Sequence, residues 1–348
     1  MRQLTYVGSG KLEWQDVAEP VLESAREALV RPVAVATCDL DLAVIRGHVP
    51  IPGPFAFGHE FVAEVVDVGP DVRGVRRGDT TVVPFQITCG DCDACRRGHT
   101  ASCSAVEPKR AMYGLGTVVG REWGGAMSDL VRVPFADAML VPLPAQVDAV
   151  AVASCSDNLP DAWRTVAPPL QSLPGASVLI VAGGAPSIGL YAVGIARALG
   201  AEVHYIDSEP HRLTIAKELG ADVLEGRPPR RHGLHPITVD TSSSVDGLHC
   251  AIRSTAGDGI CTSVGIYYQP EVGLPLLEMY THNITFVTGR PSARPAIPHI
   301  LQLVADGRLH PERITTSVVG WGDAVDALGE PLTKLVMVPE PIQQKAPA

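Results

Sequence analysis

Val178-Leu179-Ile180-Val181-Ala182-Gly183-Gly184-Ala185-Pro186-Ser187-Ile188-Gly189 sets a fully apolar run against a glycine turn and the start of a helical pattern. Such a short apolar run, bounded by glycine, reads as a buried strand. Beyond the turn, Ile188, Tyr191, Ile195, Ala198 and Leu199 fall on one face of a helix. Strand, glycine turn and helix in that order let backbone N–H groups approach a pyrophosphate. The spacing departs from plain Gly-x-Gly-x-x-Gly, because Pro186 stands where the middle glycine would be. A second strand, Val203-His204-Tyr205-Ile206, ends in Asp207, 18 residues past Gly189. That separation suits a carboxylate gripping a ribose 2′-hydroxyl, and its charge repels a 2′-phosphate, which favours NAD(H) over NADP(H). The alternative for Asp207 is a turn residue capping the helix that carries Arg212.

The alternation continues downstream. Ala221-Asp222-Val223-Leu224 reads as a short strand, and residues 225–236 as a basic, proline-rich surface loop. Ile237-Thr238-Val239-Asp240 is a further strand, followed by a helix around Leu248 to Thr255. Strands follow ending at Thr262-Ser263-Val264-Gly265 and over Asn283-Ile284-Thr285-Phe286-Val287. Strands alternating with helices build a parallel, doubly wound α/β sheet. From Arg290 a helix (Ala296 to Ala305) and short strands are expected, with a frayed tail over Gln343 to Ala348.

Upstream the pattern is β-rich. Short strands turn at Gly8-Ser9-Gly10 and Glu19-Pro20, and Leu29 to Ala36 reads as a strand interrupted by an edge proline, Pro32. Residues 49–58, with three prolines and two glycines, are expected to form a stiff loop. Val65-Val66-Asp67-Val68-Gly69 and Gly78 to Pro84 continue a barrel-like domain, as do short strands over residues 110–144. Pro142, Pro144 and the Ala/Val run after them mark a boundary near residue 147, and Pro160 bends or starts a helix.

The stiff loop delivers Phe57-Gly58-His59-Glu60-Phe61. Neighbouring imidazole and carboxylate can both reach one metal ion, although His-Glu is also an ordinary surface pair. Cys38 lies 21 residues upstream, beside Asp41, as a thiolate ligand with a supporting carboxylate or as a buried free cysteine. Asp157 or Cys155 offers a further ligand. Cys89-Gly90-Asp91-Cys92-Asp93-Ala94-Cys95 with Cys103 places thiolates where they close a tetrahedron around zinc, leaving no open position, so this site is structural. The rivals are disulfides, which suit an oxidising compartment, and an iron–sulfur cluster, whose common spacing and trailing proline are absent.

At 348 residues, two domains are expected, and 46% hydrophobic content fills a globular interior. A net charge of -10 argues against nucleic acid as a partner. The N-terminus has no apolar signal core and no apolar run reaches membrane-spanning length, so a cytoplasmic protein is expected, with no membrane partner. In that setting the 8 cysteines suggest metal or redox chemistry.

Taken together, Cys38, Gly58-His59-Glu60, the four clustered cysteines, Asp157, the glycine turn and Asp207 resemble the zinc-dependent alcohol dehydrogenase family of the medium-chain dehydrogenase/reductase superfamily. The likeness covers nearly the whole length. It implies a GroES-like catalytic domain of residues 1–147 and 291–348, with a structural zinc lobe about 88–104. A Rossmann dinucleotide-binding domain of residues 148–290 lies between them, with the active cleft at the junction. It also implies a homodimer or homotetramer acting on a small molecule. Cys38, His59 and Asp157 then hold the catalytic zinc, Glu60 is a close neighbour or exchanging fourth ligand, and Asp41 orients His59. Phe85 matches a pocket aromatic, with Leu40 and His48 beside it. Gly184, Ser187, Ile188 and Gly189 contact the pyrophosphate, Asp207 and Arg212 lie at the ribose, and Val264, Gly265 and Ile266 run along the nicotinamide. The activity implied is hydride transfer between NAD(H) and an alcohol or carbonyl substrate, with zinc as Lewis acid.

The chain departs from the family pattern where a serine or threonine, then a histidine, usually carry the alcohol proton. Leu40 and Ala43 stand there, and leucine cannot pass a proton. Asp39, His48, Ser156 or water are the substitutes. Asp161 replaces a common threonine near the nicotinamide, where it favours a cationic substrate or the oxidised ring, or else starts a helix. Two further readings follow: an NAD(P)H-dependent reductase of C=N or conjugated C=C bonds, which needs no such relay, and a non-catalytic nucleotide-binding relative.

Overall fold

The computed structural model describes residues 1–49, 51–106, 111–116, 123–330 and 332–339. The expected frayed tail lies outside these residues, as do parts of the 110–144 stretch and Pro50 of the stiff loop.

The chain opens with the hairpin β1 (Arg2–Gly8) and β2 (Lys11–Asp16), closed by a turn with positive φ at Gly8, Ser9 and Gly10. After β3 (Ala28–Ala36) and α1 (Asp39–Ile45) come β4 (Phe55–Ala56), β5 (Glu60–Val68) and β6 (Thr80–Val83). A lobe carrying α2 (Asp93–Arg96) follows, then β7 (Val131–Val133), α3 (Ala136–Met139) and β8 (Val141–Pro142). α3 is a short helix within a region expected to hold strands and turns.

β3 pairs with β5 antiparallel from Ala28↔Val68 to Ala36↔Glu60. This register sets Cys38, two residues past β3, beside His59, one residue before β5. Pro32 is not on an edge strand. β3 is central, with β5 on one side and β7 and β16 (Leu335–Val338) sharing the other. Pro32 is tolerated because β7 pairs only with Ala28 to Val30 and β16 only with Val35 and Ala36, leaving the missing N–H opposite a gap. A register irregularity between Pro32 and Ala34 marks the same spot.

α4 (Asn158–Ser172) starts with Pro160 in its first turn, as the sequence implies. Then come β9 (Val178–Val181), α5 (Pro186–Ala198), β10 (Val203–Asp207), α6 (Pro210–Glu218) and β11 (Asp222–Glu225). β12 (His235–Asp240), α7 (Val245–Arg253), β13 (Thr255–Ser263), α8 (Leu276–Thr281) and β14 (Thr285–Val287) complete a parallel six-stranded sheet. Its order is β11-β10-β9-β12-β13-β14. The connections run one way from β9 and the other way from β12, so a crevice opens at their carboxyl ends. All four residues of β9 are buried, and α5 is buried from Ser187 to Ala196, more than the one face expected, because it packs on both the sheet and α4.

α9 (Ala293–Ala305) packs on α4, and the chain then returns to the first sheet through β15 (Ser317–Gly320) and β16, with α10 (Ala324–Leu328) between them. The chain is therefore an α/β protein with a GroES-like β-rich part and a Rossmann-type sheet. Among the described residues no helix is long and apolar enough to cross a membrane.

Candidate active site

Four donor groups converge where β3, β5 and the start of α4 meet. One ligand atom each from Cys38, His59, Glu60 and Asp157 lies within 4.8 Å of the others, and all four residues are buried. Each is placed by backbone. Cys38 caps α1, and its N–H donates to Asp41 Oδ2 at 2.9 Å. His59 and Glu60 enter β5, and Asp157 sits between the turn Ala153–Ser156 and α4. His59 Nδ1 is 3.4 Å from Asp41 Oδ1, and Nε2 is 3.4 Å from Asp157 Oδ2. Neither contact has hydrogen-bond alignment, so both ring nitrogens of a fully buried imidazole lack a partner. Of the two candidates near α4, Asp157 reaches this group, whereas Cys155 is buried outside it.

The electrostatics call for a cation. Burial, with Asp157 and Glu60 nearby, pushes the Cys38 thiol well up. Burial lifts Glu60 to about 8 against the pull of Lys334. For His59, burial opposes the charged ring, yet Asp41 and Asp157 raise it to about 9. An enclosed set of sulfur, nitrogen and oxygen donors that is costly to ionise, with bare imidazole nitrogens, fits zinc, whose charge favours the ionised ligands.

The cysteine lobe brings Cys89, Cys92, Cys95 and Cys103 together with their ligand atoms within 4.8 Å of one another. Gly90, at φ +78°, makes the turn, and a Cβ there would lie 2.7 Å from Ala138 Cβ. Backbone N–H donors of Cys95 and Ser104 lower Cys92 to about 5, which favours its thiolate. Burial raises Cys95 to about 12. All eight cysteines are free. Four sulfurs around one point fit a closed zinc site.

A cleft of about 680 Å³ runs from the first cluster to the crevice of the parallel sheet, a size that suits a small-molecule ligand. Cys38, His59 and Asp157 line it, as do Leu40, Ala43, His48 and Phe85. On the sheet side lie Gly184, Ile188, Val264, Gly265 and Ile266. Gly184 has no room for a Cβ, which would lie 2.6 Å from Ser243 Cβ. The crevice and the exposed turn at Gly184 before α5 fit a dinucleotide in outline, with Ser187 and Gly189 set behind the cleft wall. Ser187 is wholly buried, and a Cβ on Gly189 would meet Thr241 Oγ1 at 2.8 Å, so Gly189 serves helix–strand packing.

Two expectations change on this geometry. Ser156 is no proton relay: its hydroxyl donates to Phe61 O and its Oγ accepts from Phe61 N–H, so it ties α4's approach to β5. Asp207 is not an open ribose acceptor. Arg212 grips it with Nε and Nη2, each at 2.7 Å, while Tyr205 O–H and Glu209 N–H fill the remaining acceptor positions. Asp161 lines the cleft and pairs with Arg164 at 2.6 Å, and burial lifts it to about 6 against that pairing.

Sequence reading passed over Asn158 and Lys334. Asn158 Nδ2 donates to Cys38 Sγ at 3.3 Å and to Asp157 Oδ2 at 3.4 Å. Lys334 is wholly buried, and its Nζ donates to Asn158 Oδ1, Glu60 Oε2 and the Thr37 carbonyl. A lysine before the apolar run Leu335-Val336-Met337-Val338 was the available signal for it.

The spans matched by known families include Cys38, His59, Glu60 and the cysteine lobe, while Asp157, Asn158 and Lys334 lie outside them. The alcohol dehydrogenase GroES-like domain family matches residues 24–145, and the zinc-binding dehydrogenase family matches residues 187–306. A glutathione-independent formaldehyde dehydrogenase of Pseudomonas aeruginosa (strain LESB58) is 34% identical over 235 residues, 64% of this chain and 58% of that protein. The match therefore spans little more than half of that relative's length. A protein of the same description from Bacillus subtilis (strain 168) is 24% identical over 378 residues, covering 93% of this chain and 92% of that one. The solved structure of an alcohol dehydrogenase from Thermus sp. ATN1 superposes with a TM-score of 0.87 at 28% identity, covering 98% of this chain and 100% of that one.

Proposed function

The chain belongs to the zinc-dependent alcohol dehydrogenase family of the medium-chain dehydrogenase/reductase superfamily, and from that premise we propose that it transfers a hydride between NAD(H) and an alcohol or carbonyl substrate. The observation that carries this reading is the buried Cys38, His59, Glu60 and Asp157 cluster at the floor of a cleft that also reaches the start of α5. In this reading residues 1–147 and 291–348 form the catalytic unit and residues 148–290 the dinucleotide unit. When bound, zinc supplies a Lewis acid and the nicotinamide supplies the hydride acceptor or donor.

The chain's own residues then have definite tasks. Cys38, His59 and Asp157 hold the metal, with Glu60 as neighbour or exchanging ligand. Asp41, 3.4 Å from His59 Nδ1, is the acid that would orient the ring on the metal, and Asn158 holds Cys38 and Asp157 from behind. Leu40, Ala43 and Phe85 give an apolar wall that excludes water from the reacting carbon. With Ser156 turned to β5 and Leu40 unable to pass a proton, His48, which lines the cleft, is the candidate we take to accept the alcohol proton on a ring nitrogen. Cys89, Cys92, Cys95 and Cys103 hold a second, structural zinc.

NAD(H) is the cofactor we favour, only on the charge that Asp207 sets at the end of β10 against a 2′-phosphate; its acceptor positions are already filled, and Arg212 offsets part of that repulsion. Exposed Leu276, Leu277 and Tyr280 beside the edge strand β14 support self-association as a dimer or tetramer. Free cysteines throughout support a reducing, cytoplasmic setting.

A second reading is favoured by one observation, the absence of a hydroxyl at position 40 together with the engagement of Ser156 elsewhere. It is reduction of a C=N or conjugated C=C bond. Zinc per chain and NAD(P)H turnover separate the two. Two zincs per chain, one lost in His59→Ala and the other in Cys92→Ala, with turnover of aldehydes (formaldehyde included) or ketones, supports the dehydrogenase. Turnover of imines or activated alkenes alone selects the reductase. Absence of turnover on the whole panel sinks both.

A further inference from the structure

The N-terminus of α5 is the anion-binding end of the thirteen-residue helix that a dinucleotide pyrophosphate would approach, and it already holds an anion. The Asp39 carboxylate accepts from Ser187 N–H at 3.2 and 3.3 Å, from Ile188 N–H at 3.3 Å and from Ser187 O–H at 2.7 Å. Asp39 belongs to α1, next to Cys38, so these bonds join the metal-site side of the cleft to the parallel-sheet side. The neighbouring amides are committed as well. Gly184 N–H donates to Ser242 O and Ala185 N–H to Thr241 O, while Pro186 has no N–H. The amides that remain at the helix start are those of Ser187 and Ile188, and Asp39 takes both.

We propose that Asp39 is a built-in competitor of the cofactor pyrophosphate: it occupies the pyrophosphate's amides in the cofactor-free chain, and binding of the dinucleotide displaces it and releases α1 from α5. The proposal rests on the reading of the chain as a dinucleotide-binding dehydrogenase. Two anions cannot share one helix terminus without repulsion, and each bond made by Asp39 must be given up before a phosphate oxygen can replace it. Ser187 has one hydroxyl hydrogen and two acceptors in reach, Asp39 Oδ1 at 2.7 Å and Asn158 Oδ1 at 2.9 Å. When Asp39 leaves, that hydrogen turns to Asn158, the residue that holds Cys38 and Asp157. Cofactor occupancy is thereby felt at the metal ligands.

The test is NADH and NADPH binding to the purified full-length chain, followed by nicotinamide fluorescence and calorimetry, for wild type, Asp39→Asn and Asp39→Ser. The expected result is a Kd lowered roughly tenfold or more in at least one folded variant, the loss of about one charge-assisted bond's worth of competition. The gain must persist in about 0.5 M salt, because long-range repulsion is screened there and direct competition is not. Kd unchanged or raised in both variants, with wild-type melting curves, overturns the proposal, and so does a gain that vanishes in high salt. Those outcomes leave the dehydrogenase reading standing. Failure of wild type and both variants to bind either nucleotide overturns that reading, and the proposal with it.

Discussion

Lys334 Nζ lies 3.3 Å from Glu60 Oε2, and both side chains are wholly buried although 274 residues separate them. The returning strand β16 thus brings the counter-charge for an acid that stands next to a metal ligand. Removing one member of a buried pair leaves the other uncompensated, at a cost of about 3–5 kcal/mol. Lys334→Met is expected to lose about that much stability in urea unfolding of the zinc-loaded protein. An unchanged midpoint would show that Glu60 does not depend on the lysine's charge.

Proton movement has a separate test. Leu40 and His48 line the same cleft, and only the imidazole can take a proton. His48→Phe is expected to lower kcat for alcohol oxidation about 10²-fold, the lower end of what general-base catalysis supplies, with little change in NADH binding. Leu40→Ser in that background should restore part of the rate. Equal rates in wild type and His48→Phe would mean that the proton leaves through water.

Cofactor choice turns on Arg212. Its bidentate hold on Asp207 neutralises the carboxylate and fills its acceptor positions. Arg212→Gln should free Asp207, raising the NADPH-to-NADH Kd ratio about tenfold, or roughly 1.4 kcal/mol. No change in the ratio would leave Asp207 as the clamp of the β10–α6 turn alone.

The pH dependence of stability has a contribution far from the cleft. His235 shares Nδ1 with Ser177 Oγ at 3.0 Å and packs 4.7 Å from the His204 ring. Burial and the neighbouring His204 and His232 rings lower it to about 4. A depressed histidine binds its proton more weakly folded than unfolded. Its contribution is therefore full above about 6.5 and is lost as pH falls from there to about 4. The melting temperature should fall across that window, and less steeply in His235→Gln. Parallel pH profiles for the two proteins would remove His235 from this role.

What was legible in sequence follows from the range of the interactions. The four cysteines from Cys89 to Cys103 lie within one short loop system, so their spacing predicts their geometry, and they converge. The strand, glycine turn and helix around Val178 to Gly189 are local in the same sense, and the parallel sheet forms around them. Cys38, His59 and Asp157 were legible through family resemblance, and the β3–β5 register gives the physical reason that two of them meet.

Local patterns could not show which partner each polar group meets. Asp207 and Ser156 have the right chemistry for a ribose contact and a relay, yet Arg212 and the Phe61 backbone reach them first. Asp39 reads in sequence as a substitute in the proton relay, and its contacts at the α5 N-terminus exist only because α1 and α5, distant in sequence, meet. Lys334 carried almost no signal, because a buried lysine is explained by the acid it meets. The sequence by itself determined the fold class and the candidate cysteine donors of the lobe, since apolar periodicity, glycine turns and ligand spacing act over a few residues. The tertiary structure alone decided which charges are paired, which amides are occupied and which proton carriers face the cleft, since those depend on groups brought together from up to 298 residues apart.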